Sequence, residues 1–146
     1  MGTSISVEDN KQAVLGFFEA VSERRPQDLV KFMAGDVVDH NQIIHGEADE
    51  PGAAFDGIRS QLAAFDPLTV QVEELVGEGD QVVARVLQCG THNGTHPRMP
   101  KPTGRAFEVE AIWIFTLVEG KIAQIRAVSD RLGLFAQLGW DWPGTE

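Results

Sequence analysis

Residues 105–139 read RAFEVEAIWIFTLVEGKIAQIRAVSDRLGLFAQLG. In the first part Trp113, Phe115 and Leu117 alternate with Ile112, Ile114 and Val118, the period-two pattern of a strand that is apolar on both faces. The turn EGK leads to a second strand, IAQIRAVSD, and RLGLFAQLG then places Leu132, Phe135 and Leu138 at helical spacing. A strand apolar on both faces leaves neither face simply in water. One face meets helices, and the other is the natural surface for a second subunit, so a homodimer through the sheet is expected.

Upstream the period is helical. Ser6 opens a helix with Glu8 and Asp9 in its first turn, and Ala13, Val14, Phe17, Phe18 and Val21 form its apolar stripe. Arg24 and Arg25 are expected in its last turn, with Pro26 as the stop. A short helix follows from Pro26, then a brief strand, GDVVDHN, and a polar connection, IIHGEADEPGAA. Phe55, Ile58, Leu62 and Phe65 define another helical face, ended by Asp66-Pro67. From Leu68 the period becomes two in LTVQVEE and QVVARVLQCGTH, with the turn GEGD between them. NGTHPRMPKPTG is a long loop. Helices first, then an antiparallel meander and a closing helix make an α+β plan, in which N-terminal helices cover a curved, mostly antiparallel sheet. No repeat or linker divides residues 1–146, so one domain is expected.

Composition narrows the function. Twenty-two acidic against 12 basic residues give a formal charge of −10, a surface that repels nucleic-acid phosphates and anionic lipid. The single cysteine, Cys89, excludes an intrachain disulfide and a cysteine-based metal site, and mid-strand it is most simply a core filler. The N-terminus lacks a basic and apolar leader pattern, and no apolar run approaches the length of a membrane span, so a cytoplasmic protein is expected. The NGT acceptor pattern at Asn93 is then idle.

Of the four histidines, His40 and His45 flank NQII, and His92 and His96 flank NGT. Gly90, Gly94, Pro97 and Pro100 rule out a helix that would put the second pair on one face, so no metal site is expected. His40 and His92 end strands and rank above the other two as polar contacts. No phosphate-binding fingerprint occurs, and neither Ser60 nor Ser129 stands in a GxSxG setting. Trp140 and Trp142 read equally as packing residues or ligand stackers.

Asp130 carries two readings. Strict alternation puts Ile122, Gln124, Arg126, Val128 and Asp130 on one face of the last strand, which sets a carboxylate against a mostly apolar cavity, where it would serve as a general base. Asp is also among the best N-cap residues, and a helix starts directly after it. Spacing alone favours the cap.

The run PTGRAFEVEAIWIFTLVEGKIAQIRAVSDRLGLFAQLG resembles the signature of the SnoaL-like polyketide cyclases, within the NTF2-like superfamily. VEDNKQAVLGFFEAV, VVDHN, VEELVGEGDQVVAR and GTHNG fall in that family's order, and the likeness spans roughly residues 7 to 139. PTGR and D-x-LG-x-x-x-QLG together are its most specific pieces. The resemblance implies an NTF2-like cone around a deep pocket, a dimer, and no metal or organic cofactor. It further implies that Asp130 is the acid/base of an intramolecular aldol closure, and His40 and His92 match common family positions. With Phe17, Trp113 and Arg126 these two form the candidate substrate-binding set.

Two departures stand out. Ile125-Arg126 replaces the HW common in the family, and HPRMPKPTG is longer than the usual loop before PTGR. The expectation is therefore a cofactor-independent enzyme on a small hydrophobic carbonyl compound, cyclase-like. Related isomerase, dehydratase, epoxide hydrolase or hydroxylase chemistry, or a non-catalytic binding module, are the alternatives.

Overall fold

A computed structural model describes residues 5–40, 52–95 and 101–139. Helix α1 (Val7–Ser22) starts in a capping box: Ser6 Oγ accepts from the Asp9 amide at 3.0 Å, and Asp9 Oδ2 accepts from the Ser6 amide at 3.2 Å. Its stripe of Val14, Phe17, Phe18 and Val21 is buried, as the spacing predicts. Arg24 and Arg25 lie beyond the helix end rather than in its last turn. Arg24, at φ 57°, turns back and donates to the carbonyls of Leu62 and Phe65, so it closes the end of a different helix.

A 3-10 helix (Pro26–Lys31) leads into β1 (Met33–Asp39). Helix α2 (Ala53–Ala64) follows, then β2 (Phe65–Glu78), β3 (Gln81–His92), β4 (Ala106–Val118), β5 (Lys121–Ser129) and the closing helix α3 (Arg131–Leu138). Phe65, predicted on the helical face, is the first residue of β2, and Asp66-Pro67 lies inside that strand. The five strands form one open sheet in the order β1-β5-β4-β3-β2, with β1 parallel to β5 and every other pair antiparallel.

One face of this sheet carries the core. Val82, Ala84 and Val86 on β3, Phe115 on β4 and Ile122 on β5 are fully buried, and α1 packs over them through Phe17 and Phe18. The opposite face holds Ile112, Ile114, Val118 and Val128, all exposed, around Arg85, which sits between Glu74 at 2.6 Å and Glu110 at 2.8 Å. Those two carboxylates, Glu74 first, push the guanidinium pKa further up. Apolar side chains on both faces of β4 are thus a property of the fold.

Strict alternation fails on β5. Leu117 pairs with Ile122 but Thr116 pairs with Gln124, so β5 carries one extra residue, a β-bulge at Ala123. Ile122 and Ile125 therefore both face the helices, while Gln124, Arg126 and Val128 turn outward. The predicted grouping of Ile122 with Gln124, Arg126, Val128 and Asp130 is corrected by that single insertion: Ile122 faces inward, and the others follow the outward register. In α3, Leu138 and Leu134 are the inward pair, and Leu132, predicted on the same face, is 62% exposed.

Candidate functional site

The motif residues that stood out in the sequence build the frame of the site. His92 is fully buried at the end of β3, its ring 5.4 Å from that of Phe65. Its Nδ1 accepts from the Thr103 amide at 3.2 Å, with the Thr103 hydroxyl also at 3.2 Å. The His92 amide donates to the Arg105 carbonyl at 2.9 Å, and the Gly104 amide donates back to the His92 carbonyl at 2.7 Å. GTH and PTGR thus clasp each other across the strand end. Gly94 completes the clasp by donating to the Ala64 carbonyl, and a Cβ at Gly94 would lie 1.8 Å from the Ala63 oxygen, so no other residue fits there.

D-x-LG-x-x-x-QLG docks α3. Asp130 is its N-cap: Oδ1 accepts from the Gly133 amide at 2.8 Å, and a Cβ on Gly133 would fall 2.1 Å from Asp130 Oδ2. The glycine leaves room for the carboxylate to fold over the helix start. Gln137 bonds the Glu108 backbone twice, accepting from its amide at 2.7 Å and donating to its carbonyl at 3.0 Å. Leu138 is buried, and Gly139 ends the helix in the left-handed conformation at φ 79°. Asp130 is therefore the cap that spacing favours; it is exposed at the rim, where its amide donates to the Glu110 carbonyl at 3.2 Å.

The remaining candidates separate by face. Phe17 is 1% exposed and packs against Phe18, Trp113 and Phe115, so it backs the concave face from within the core instead of presenting an accessible wall. Arg126 pairs with Ile114 and is exposed on the outer face, which separates it from Trp113 by the thickness of the sheet; the bulge at Ala123 is the reason. His40 follows β1, and its Nε2 lies 3.1 Å from Gln124 Oε1, also an outer-face residue. His45, His96, Trp140 and Trp142 lie outside the described residues. Among the described residues, no group of three or more His, Cys, Asp or Glu side chains is placed to hold a metal ion.

Trp113 is the candidate on the concave face that stays half-buried. It stacks on Phe115 at 5.7 Å and meets Phe18 edge-on at 5.5 Å. Its indole Nε1 donates to Gln88 Oε1 at 3.0 Å. Gln88, which sequence reasoning passed over, shares the inward face of β3 with Val82, Ala84 and Val86. Its polarity at an inward position was the available signal. Asp39, also passed over, pairs with Ile125 and so shares the concave side. Cys89, one residue on, points outward; its Sγ is 3.7 Å from Glu108 Oε1, and burial, then the Glu108 charge, push its thiol pKa up.

The comparisons agree with this frame. Residues 12–138 match the family model of the SnoaL-like polyketide cyclases. The aklanonic acid methyl ester cyclase DauD of Streptomyces sp. (strain C5) is 30% identical over 130 residues, covering 88% of this chain and 80% of that protein. The nogalonic acid methyl ester cyclase of Streptomyces nogalater is 31% identical, covering 79% of this chain and 94% of its own. Among solved structures, TsrD from Streptomyces laurentii superposes with a TM-score of 0.80 at 29% identity, over 93% of this chain and 98% of TsrD. Given a match that spans the clasp, the curved sheet and the docked helix alike, the chain belongs to the SnoaL-like polyketide cyclase family.

Proposed function

We propose that this protein is a cofactor-independent acid/base enzyme that closes a ring on a hydrophobic, polyketide-type carbonyl compound by intramolecular aldol addition. The observation that carries the reading is the family match over residues 12–138, together with relatives named for the cyclisation of aklanonic and nogalonic acid methyl esters. In the reaction a carboxylate removes a proton alpha to a carbonyl. The enolate carbon bonds to a second carbonyl carbon, and the alkoxide so formed takes up the proton. No redox change occurs, and a positioned acid/base contributes about 10²–10⁴-fold. Asp130 is the acid/base of this reading; its capping bond to the Gly133 amide is made through Oδ1. The small hydrophobic partner, the homodimer through the outer face and the cytoplasmic setting belong to the same reading. None of the described helices is long and apolar enough to cross a membrane.

A second reading, a binding module that holds such a compound without converting it, is favoured by one observation: the Asp130 carboxylate has a structural task as a helix cap. Incubation with aklanonic and nogalonic acid methyl esters, with product analysis, separates the two. Ring closure that is lost in Asp130→Asn supports the enzyme. Saturable binding with no product, unchanged in Asp130→Asn, supports the module.

A further inference from the structure

The geometry points to Gln88 as a further catalytic residue, its side-chain N–H donating to the oxygen of the enolate or phenolate form of the substrate, with Trp113 as the residue that positions it. This rests on the reading above that the concave face takes a hydrophobic carbonyl compound. An indole N–H is a donor only. The 3.0 Å bond from Trp113 Nε1 therefore assigns Oε1 of Gln88 as the atom facing Trp113, and fixes which end of the amide is which. What Gln88 has left to offer is its N–H pair, a directed donor with no acceptor character.

The surroundings make such a donor effective. Gln88 pairs with Val70 on one side and Val109 on the other, and Trp113 pairs with Ala84. Val86 and Ala111, a cross-strand pair lying between those two rows, are 0% and 2% exposed, so the bond spans a dry apolar floor. A preorganised donor in a low-dielectric setting stabilises a developing oxyanion far more than the same group does in water. Both Gln88 and Trp113 are half-buried, so the end of the concave face that they occupy is reachable. Gln88 is level with Val109, and the Asp130 amide bonds the carbonyl of the next residue, Glu110. Gln88 and Asp130 thus belong to the same end of the sheet, two strands apart in backbone register.

A purely structural Gln88 would serve only to accept the indole proton. Gln88→Glu keeps that acceptor and the shape but removes the donor; Gln88→Met removes both without adding charge. The probe is alizarin, whose visible band reports ionisation of its hydroxyl, used beside turnover of aklanonic acid methyl ester. In wild-type protein the bound dye ionises at lower pH than in water. In both variants that shift disappears, the dye anion binds at least tenfold more weakly, and kcat falls about a hundredfold with a smaller change in KM. Trp113→Phe, which frees the amide, gives a partial version of the same losses. The inference is overturned if either variant binds the dye anion as the wild type does, or if their effect is confined to thermal stability. A wild-type protein that neither shifts the dye nor converts the ester overturns the proposed function itself, and this inference with it.

Discussion

Ser22, in the last turn of α1, accepts from the Val70 amide of β2 at 2.9 Å and reaches the Val70 carbonyl at 3.5 Å. Among the described residues β2 is an edge strand, paired with β3 alone, so this hydroxyl ties the helix to an exposed backbone edge. Replacing Ser22 with Ala leaves a part-buried amide without that acceptor. A loss of about 1–3 kcal/mol is expected from urea denaturation, with the m-value unchanged. No loss, or a changed m-value, would show that α1 holds the edge by apolar packing alone.

Asp130 separates structure from chemistry. As a cap, Asp130→Ala should cost about 0.5–2 kcal/mol, while Asp130→Asn and Asp130→Ser stay close to wild type. As an acid/base, all three should lose at least about a hundredfold in turnover of a cyclisable ester. The informative protein is Asp130→Asn, stable but inactive under the enzyme reading. Asp39→Asn is its control: if that variant loses turnover while Asp130→Asn keeps it, the base is the carboxylate on the concave side of β1.

Acid stability should depend on the start of the 3-10 helix. Arg25 donates to Asp28, and that bond, with Lys31 on the other side, holds the Asp28 carboxyl below the usual carboxylate range. Its folded pKa is depressed, so the unfolded chain takes up this proton at higher pH than the fold does. The contribution is present above the ordinary value of about 3.9 and is lost as pH falls through and below it. Stability measured against pH should fall less steeply in that acidic range for Asp28→Asn than for wild type. Parallel curves would assign the acid sensitivity to other carboxylates.

Cys89 should be a sluggish thiol. Burial raises its pKa, and the neighbouring Glu108 carboxylate raises it further. The thiolate is the reactive form, so alkylation by iodoacetamide near pH 8 should be slower than for a free thiol, whose pKa is about 8.5. Glu108→Gln should speed it, because one of the two causes is removed. An alkylation rate unaffected by that change would leave burial as the whole cause.

Much of the architecture is legible in residues 105–139 and their upstream partners because it rests on local rules. Period two in Trp113, Phe115 and Leu117, period 3.6 in Val14, Phe17, Phe18 and Val21, and a capping serine are all decided within a few residues. The motif pieces PTGR, GTH and D-x-LG-x-x-x-QLG were legible as a family signature, yet their physical content is structural: a clasp around a buried His92 and a capped, docked helix.

The sequence alone determined the α+β plan, the family and the net charge of −10, and it offered the cap as one of two readings of Asp130. Only the tertiary structure decided which residues share a face. One extra residue at Ala123 sent Arg126 outward, and the cross-strand reach of Trp113 brought in Gln88, a residue 25 positions away. A period-two pattern fixes alternation only until a bulge resets it, and a partner across the sheet is set by register, which no local stretch of sequence encodes.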